Sequence, residues 1–409
     1  MSELDQIQLL CGPRSYLDGT AVPSGSDDVC LIYVPNVART DIVVGARNAN
    51  TLILRWDVSQ RVAIAVTTSG SVTPRWRTIM WDCLFNRMQV GSGLVAVLGD
   101  SDTAAKTVPL FVLAQSEEHF AGVHVFTRIR FSDRDALFIR VTDTPLSWRP
   151  EDGLLSVLTQ SAELVRRNSL FLNNHQCYYL KLFEGEELEH KDRLDTSLDI
   201  WGVTVKIYNA VRDGDLQGYV PEYGDEFQSW DYLNILSEVP SPSLEQGYIS
   251  FIPLSTGGYT IKRKWFIEDA TRRGERHYRE PNGISDLESY LRKRFAVNPV
   301  PYPPFQRVRY DINFESLATG HVYGIFFDHS RLVDNPEIAM VQCVLEYLRT
   351  RSVLPVSDDD VWAELEEIAT WREGFLADNG IVTERGVYSK LSFLRDNCHP
   401  TLTSAETGS

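Results

Sequence analysis

The run Glu187-Leu188-Glu189-His190-Lys191 places two carboxylates and an ammonium at alternate positions. Side chains at i, i+2 and i+4 of a strand share a face. As a strand, this segment therefore presents Glu187, Glu189 and Lys191 together and turns His190 the other way, toward packing or solvent. Later segments repeat the pattern. In "GYTIKRKWF", Lys262 and Lys264 oppose Ile261, Arg263 and Trp265; in "FQRVRYDI", Arg307, Arg309 and Asp311 oppose Val308, Tyr310 and Ile312. Asp328 in "GIFFDHS" and Glu346 in "QCVLEYLR" add carboxylates. Arginine favours bidentate contacts to phosphate oxygens, and lysine acts on them as a point charge. Carboxylates hold hard cations such as Mg²⁺ or Mn²⁺, which polarise a phosphoryl group and acidify a bound nucleophile. One barrel with a charged interior gathers all these faces. A purely structural β protein would leave Lys262, Lys264, Arg307 and Arg309 in solvent.

The elements that must position these residues fall into two halves. Residues 1 to 168 read as a β-rich domain, with short apolar runs such as "CLIYVPNV", "TLILRWDV", "VAIAVTT" and "VPLFVLAQ" between turn-forming clusters. This half offers no catalytic motif. "VGSGLVAVLGDSD" lacks the Lys-Ser/Thr ending of a phosphate loop and reads as a turn. Trp56, Trp76 and Trp81 read as core or interface, and a role in binding a protein partner is open. In "GLLSVLTQSAELVRRN" the period changes to helical, a candidate joint near residue 168. Residues 169 to 399 form the second domain, with strand-like segments "QCYYLKLF", "DIWGVTVKIYNAV", "GYISFIPL", "GHVYGIFFDHS" and "AMVQCVLEYLRTR" beside those above. "TRRGERHYRE" reads as a solvated loop, Asp328-His329 as a turn cap before "SRLVDNP", and "SDDDVWAELEEIATWREGFLADNG" as a helix. Residues 400 to 409 read as a disordered tail. The fold class is mainly β with some α: a β-rich N-terminal domain, then an antiparallel β-barrel with flanking helices.

The chain has 409 residues and a net charge of −16. That balance argues against a general nucleic-acid or membrane-surface binder, so a polyanion site must be a local basic pocket. The cysteines (Cys11, Cys30, Cys83, Cys177, Cys343 and Cys398) show neither a C-x-x-C pair nor zinc-ligand spacing. A reduced, soluble, cytoplasmic protein is the expectation, with no secretory signal and no membrane span.

The second half resembles the CYTH family, also called triphosphate tunnel metalloenzymes, over roughly residues 176 to 395. Glu187-Leu-Glu189-His-Lys191 matches the family's E-x-E-x-K signature. A Lys-x-Lys strand, an Arg-x-Arg strand, a late acidic strand and the closing "GVYSKLSFL" follow in order. The resemblance implies an eight-stranded antiparallel tunnel holding a triphosphate compound with Mg²⁺ or Mn²⁺. It makes Glu187 and Glu189 metal ligands with catalytic roles, Lys191, Lys262, Lys264, Arg307 and Arg309 phosphate contacts, and Glu346 and Asp328 further carboxylates for the metal. Triphosphatase activity is implied first, on inorganic, nucleoside or other organic triphosphates, an RNA 5′-triphosphate end included; adenylate cyclase chemistry is less favoured. The sequence departs from the pattern at Val344, where a second late carboxylate is expected. Residues 212 to 247, with Glu222, Asp225, Glu226 and Asp231, look like an insertion that caps the tunnel or packs on the first domain. The departure at Val344 leaves open a non-catalytic nucleotide- or polyphosphate-binding module that signals to a protein partner.

Overall fold

The computed structural model of the chain describes residues 7–13, 30–34, 42–43, 50–55, 61–68, 75–80, 107–115, 122–131, 135–149, 152–168, 179–222, 226–266, 270–280 and 284–401. The glycine-rich segment at 90–102, Trp56, Trp81, Cys83, Cys177, Asp225 and residues 402–409 lie outside the described residues, as do the side chains of Cys11, Cys30 and Trp76. The chain forms two compact units. One comprises Met1–Leu180, Ser316–Gly320 and Thr350–Val356; the other comprises Lys181–Glu315, His321–Arg349 and Ser357–Ser409.

The first unit contains an antiparallel sheet whose inner strands are Gly122–Phe131, Thr107–Gln115, Ile7–Pro13 and Cys30–Val34, in that spatial order. Helix α1 (Leu154–Arg167) contributes Leu154, Val157 and Leu158 to a core with Phe111, Leu113, Val123 and Trp148. This 3–4 spacing is the apolar stripe expected of a helix lying on a sheet.

In the second unit eight strands close into a ring: β1 (Glu186–Leu194), β2 (Phe227–Val239), β3 (Gly247–Pro253), β4 (Tyr259–Trp265), β5 (Arg272–Glu280), β6 (Phe305–Ser316), β7 (His321–Leu332) and β8 (Ala339–Arg351). Their spatial order is β1-β5-β4-β3-β2-β6-β7-β8, and β8 returns to pair with β1. Every one of these pairings is antiparallel. The outer face is apolar at alternate residues. Ile312 and Phe314 of β6, Tyr323, Ile325 and Phe327 of β7, and Val341, Cys343, Leu345 and Tyr347 of β8 pack with two helices, α2 (Ile200–Asp213) and α4 (Asp359–Asp378). Helix α3 (Leu287–Phe295) lays Leu291 against Ile249, Phe251 and Ile261 of β3 and β4. Period-2 alternation then leaves the charged residues no face but the interior.

Several segments depart from the sequence expectation. "DIWGVTVKIYNAV" is helix α2, because Ile200, Val203, Ile207 and Val211 fall at helical spacing. Asp199 accepts from the Gly202 amide at 3.0 Å, and Gly214 closes the helix at φ 92°. "TRRGERHYRE" is not a loop but β5, paired with β4 on one side and β1 on the other. The expected insertion at 212–247 contains β2, a full member of the ring, and Glu222 is a buried partner of Arg349, 2.8 Å away. Asp328 and His329 lie inside β7 rather than at a turn, and "GVYSKLSFL" leads into helix α5 (Lys390–Asn397).

Helix α5 stops one end of the ring. Its Leu391, Phe393 and Leu394 pack on Leu236 of β2, Tyr248 of β3 and Phe305 of β6. Gly247 starts β3 at φ 140°, where a Cβ would collide with the Lys264 carbonyl. Among the described residues, no helix is long and apolar enough to cross a membrane.

Candidate functional site

One wall of the ring interior is built by β1, β8, β5 and β4. Glu189 stands directly opposite Glu346 across the β1–β8 pair. With Glu187 they form a cluster in which each residue offers one carboxylate oxygen within 4.8 Å of those of the other two. Like charges placed opposite each other repel, so this cluster persists only beside positive charge. Lys264 supplies it, with Nζ 2.6 Å from Glu187 Oε1 and 3.5 Å from Glu275. Arg273 of β5 approaches Glu187 at 3.5 Å and pairs with Glu189, and Lys191 closes on Glu189 from the same strand.

The facing wall centres on Asp328, which is fully buried. Arg307 donates to it from Nε at 2.9 Å and from its terminal nitrogen at 2.5 Å. Arg309 does the same at 2.6 and 2.9 Å, and Lys390 of α5 donates at 2.9 Å. Asp328 therefore sits under three cations, outside the glutamate cluster where the family resemblance would set it as a metal ligand.

Between the walls lies a cavity of about 260 Å³. Nine lysine and arginine side chains line it against four glutamates, in a chain whose overall charge is −16. Lys262 is one of the nine and makes no ion pair with any described residue. A concentrated positive interior within an acidic protein is the local basic pocket that the composition requires of any polyanion site.

Titration behaviour follows from this crowding. Burial, then the Glu187 and Glu275 charges, push the Glu346 carboxyl up to about 7. Burial works the same way on Glu187, but Lys264, Arg273 and Lys191 outweigh it and hold that carboxyl below its ordinary value. Burial, with Lys191 and Arg309 near by, lowers Lys390 to about 7 against the pull of Asp328.

The Glu346 shift carries a definite sign. Between the ordinary value of 4.5 and about 7 the folded protein keeps a proton that the unfolded chain has released. The contribution of Glu346 to stability thus falls as pH rises through that window. Glutamine mimics the protonated carboxyl and does not titrate. In chelator, the melting temperature of Glu346→Gln relative to wild type is expected to climb from pH 5 to pH 8, reflecting at most roughly 3 kcal/mol. A difference independent of pH would show that Glu346 ionises normally.

The structure brings Glu187, Glu189, Lys191, Lys262, Lys264, Arg307, Arg309 and Glu346 to one cavity. Sequence reasoning placed Arg273 in a solvated loop and missed Glu275 and Lys390. The first two carried the signal that marked β1, charged residues at alternate positions of "TRRGERHYRE". Lys390 carried none, because only the placement of α5 brings it to Asp328. His190 faces outward as expected and lies 3.0 Å from Glu366. Val344 is fully buried opposite Lys191.

No family model and no curated protein matches the chain. Among solved structures, the chain is similar to the S. pombe Pct1 RNA triphosphatase in complex with the Spt5 CTD. The TM-score is 0.24 and the identity 10%, over 48% of this chain and 84% of that one.

Proposed function

We propose that the ring interior binds the triphosphate group of a small molecule together with Mg²⁺ or Mn²⁺ and hydrolyses its terminal phosphoryl group. The observation that carries this reading is the convergence of nine cationic side chains on one cavity with a three-glutamate cluster in its wall. The donor set suits a hard divalent cation, being all carboxylate oxygen. When bound, the cation would offset phosphoryl charge and acidify an attacking water. The chain's own residues supply the rest. Lys262 is uncommitted and meets a phosphate oxygen as a point charge. Arg307 and Arg309 each present a planar fork that can turn from Asp328 to phosphate oxygens without leaving any charge unpaired. Lys264 and Arg273 pair with Glu187 and Glu189 and hold them in place. Charge developing on the transferred group would meet donors already oriented, the main requirement of phosphoryl transfer.

A second reading, a polyphosphate-binding module without turnover, is supported by Val344, which puts a buried aliphatic side chain where the resemblance leads one to expect another carboxylate. Phosphate release from tripolyphosphate, ATP and thiamine triphosphate, with Mg²⁺, Mn²⁺ or chelator, separates the two. Metal-dependent release supports hydrolysis. Binding without release leaves the module, and neither would overturn both readings.

A further inference from the structure

Trp230 is an aromatic side chain that the phosphate-binding reading does not use. It lies on β2 with Tyr232, Asn234 and Leu236 at alternate positions, and Asn234 and Leu236 line the cavity. Its cross-strand neighbour is Arg309, whose guanidinium holds Asp328 on the inner face. Its indole Nε1 donates to Asp311 at 3.0 Å, on the same face of β6 as Arg307 and Arg309. The ring is therefore fixed at its edge and directed to the inner side, yet 48% exposed. Among the described residues no other ring stacks on it. Trp201, equally exposed, differs: it rests edge-on against Phe227 and Tyr310 of the outer face. Position along the strand adds a direction. Helix α5 packs at Leu236, and Trp230 stands six residues further along, about 20 Å at the usual rise per strand residue. The stopped end of the ring and the tryptophan end are opposite.

We infer that Trp230 is a stacking platform for a nucleobase and that the ligand is a 5′-triphosphorylated nucleoside rather than inorganic triphosphate. This inference rests on the proposed triphosphate site. A cavity of about 260 Å³ lies below the roughly 300–1,000 Å³ of sites that enclose a drug-sized ligand. It takes the phosphates and leaves the nucleoside outside, toward the end that α5 does not stop. A tryptophan face held there by one hydrogen bond suits any base, because every base has a π-face. The same chemistry belongs to a free nucleotide and to the 5′ end of an RNA strand.

The test is titration calorimetry with Mg²⁺ on wild type, Trp230→Ala and Trp230→Phe, using tripolyphosphate, ATP and a 5′-triphosphorylated RNA trinucleotide. Trp230→Ala is expected to weaken the nucleoside ligands roughly tenfold to hundredfold. Tripolyphosphate affinity should stay within about twofold, and phenylalanine should recover most of the loss, since it keeps a ring. A larger loss for the trinucleotide than for ATP assigns the site to RNA ends, and equal losses assign it to free nucleotides. Unchanged ATP and RNA affinity in Trp230→Ala, or equal weakening of all three ligands, overturns the inference while the triphosphate site stands. If wild type binds none of the three, the triphosphate site itself is wrong and the inference goes with it.

Discussion

Asp328→Asn is expected to cost about 3–5 kcal/mol of stability, the usual result of removing one partner from a buried ionic cluster. For a unit of this size that is a fall in melting temperature on the order of 10 °C. The cause is local. Arg307, Arg309 and Lys390 converge on one carboxylate that has no solvent exposure, and asparagine leaves three cations facing one another. Burial opposes the ionised form of Asp328, but Arg309 and Lys390 overcome it and depress the carboxyl below its ordinary value. The stabilisation is therefore complete above the unfolded carboxylate value and fades as pH falls through the lower folded one. The gap between wild type and variant should narrow in acid. Tripolyphosphate should raise the melting temperature of the variant more than that of wild type, because an added polyanion meets cations no longer neutralised. Thermal scans across pH, with and without tripolyphosphate, check all three statements. A variant as stable as wild type would mean that these cations are not held together by Asp328.

Glu187→Gln/Glu189→Gln is expected to lower metal-stimulated phosphate release roughly a thousandfold, the scale of several kcal/mol of lost metal assistance. Glutamine keeps the shape of both side chains and removes two of the three charges that define the cluster. It also removes the Glu187 and Glu189 charges with which Lys264, Lys191 and Arg273 pair. Tripolyphosphate affinity in chelator should hold or rise, since the cavity becomes more positive. The split between lost turnover and retained binding is the signature of a metal-holding role, and circular dichroism at the assay temperature confirms the fold. Turnover that survives the double substitution would place the metal elsewhere or dispense with it.

Much of this site was legible in the sequence because strands impose a strict two-residue period. Glu187, Glu189 and Lys191 share a face for the same reason that Val341, Cys343 and Leu345 share the outer one. Ring closure was legible only through the repetition of charged faces on successive strands. Elements whose composition and period disagree were misread. The β-branched residues of α2 suggested a strand, although Asp199 and Gly214 mark both helix ends. The arginines of β5 suggested a solvated loop, although Arg273 and Glu275 alternate as Glu187 and Glu189 do. The resemblance makes Asp328 a further carboxylate for the metal, and a sequence shows residue types and not distances. Only the fold reveals that its neighbours are Arg307, Arg309 and Lys390, the last from a helix more than 60 residues downstream.

The most direct measurement is calorimetric titration of tripolyphosphate into the full-length wild-type protein, with and without Mg²⁺. A charged interior of this kind predicts saturable binding at one site per chain, tighter with the cation and weakened when salt is raised. No heat and no shift in melting temperature under either condition would contradict it. The lining cations would then serve only the ring's own structure, with no polyanion to meet.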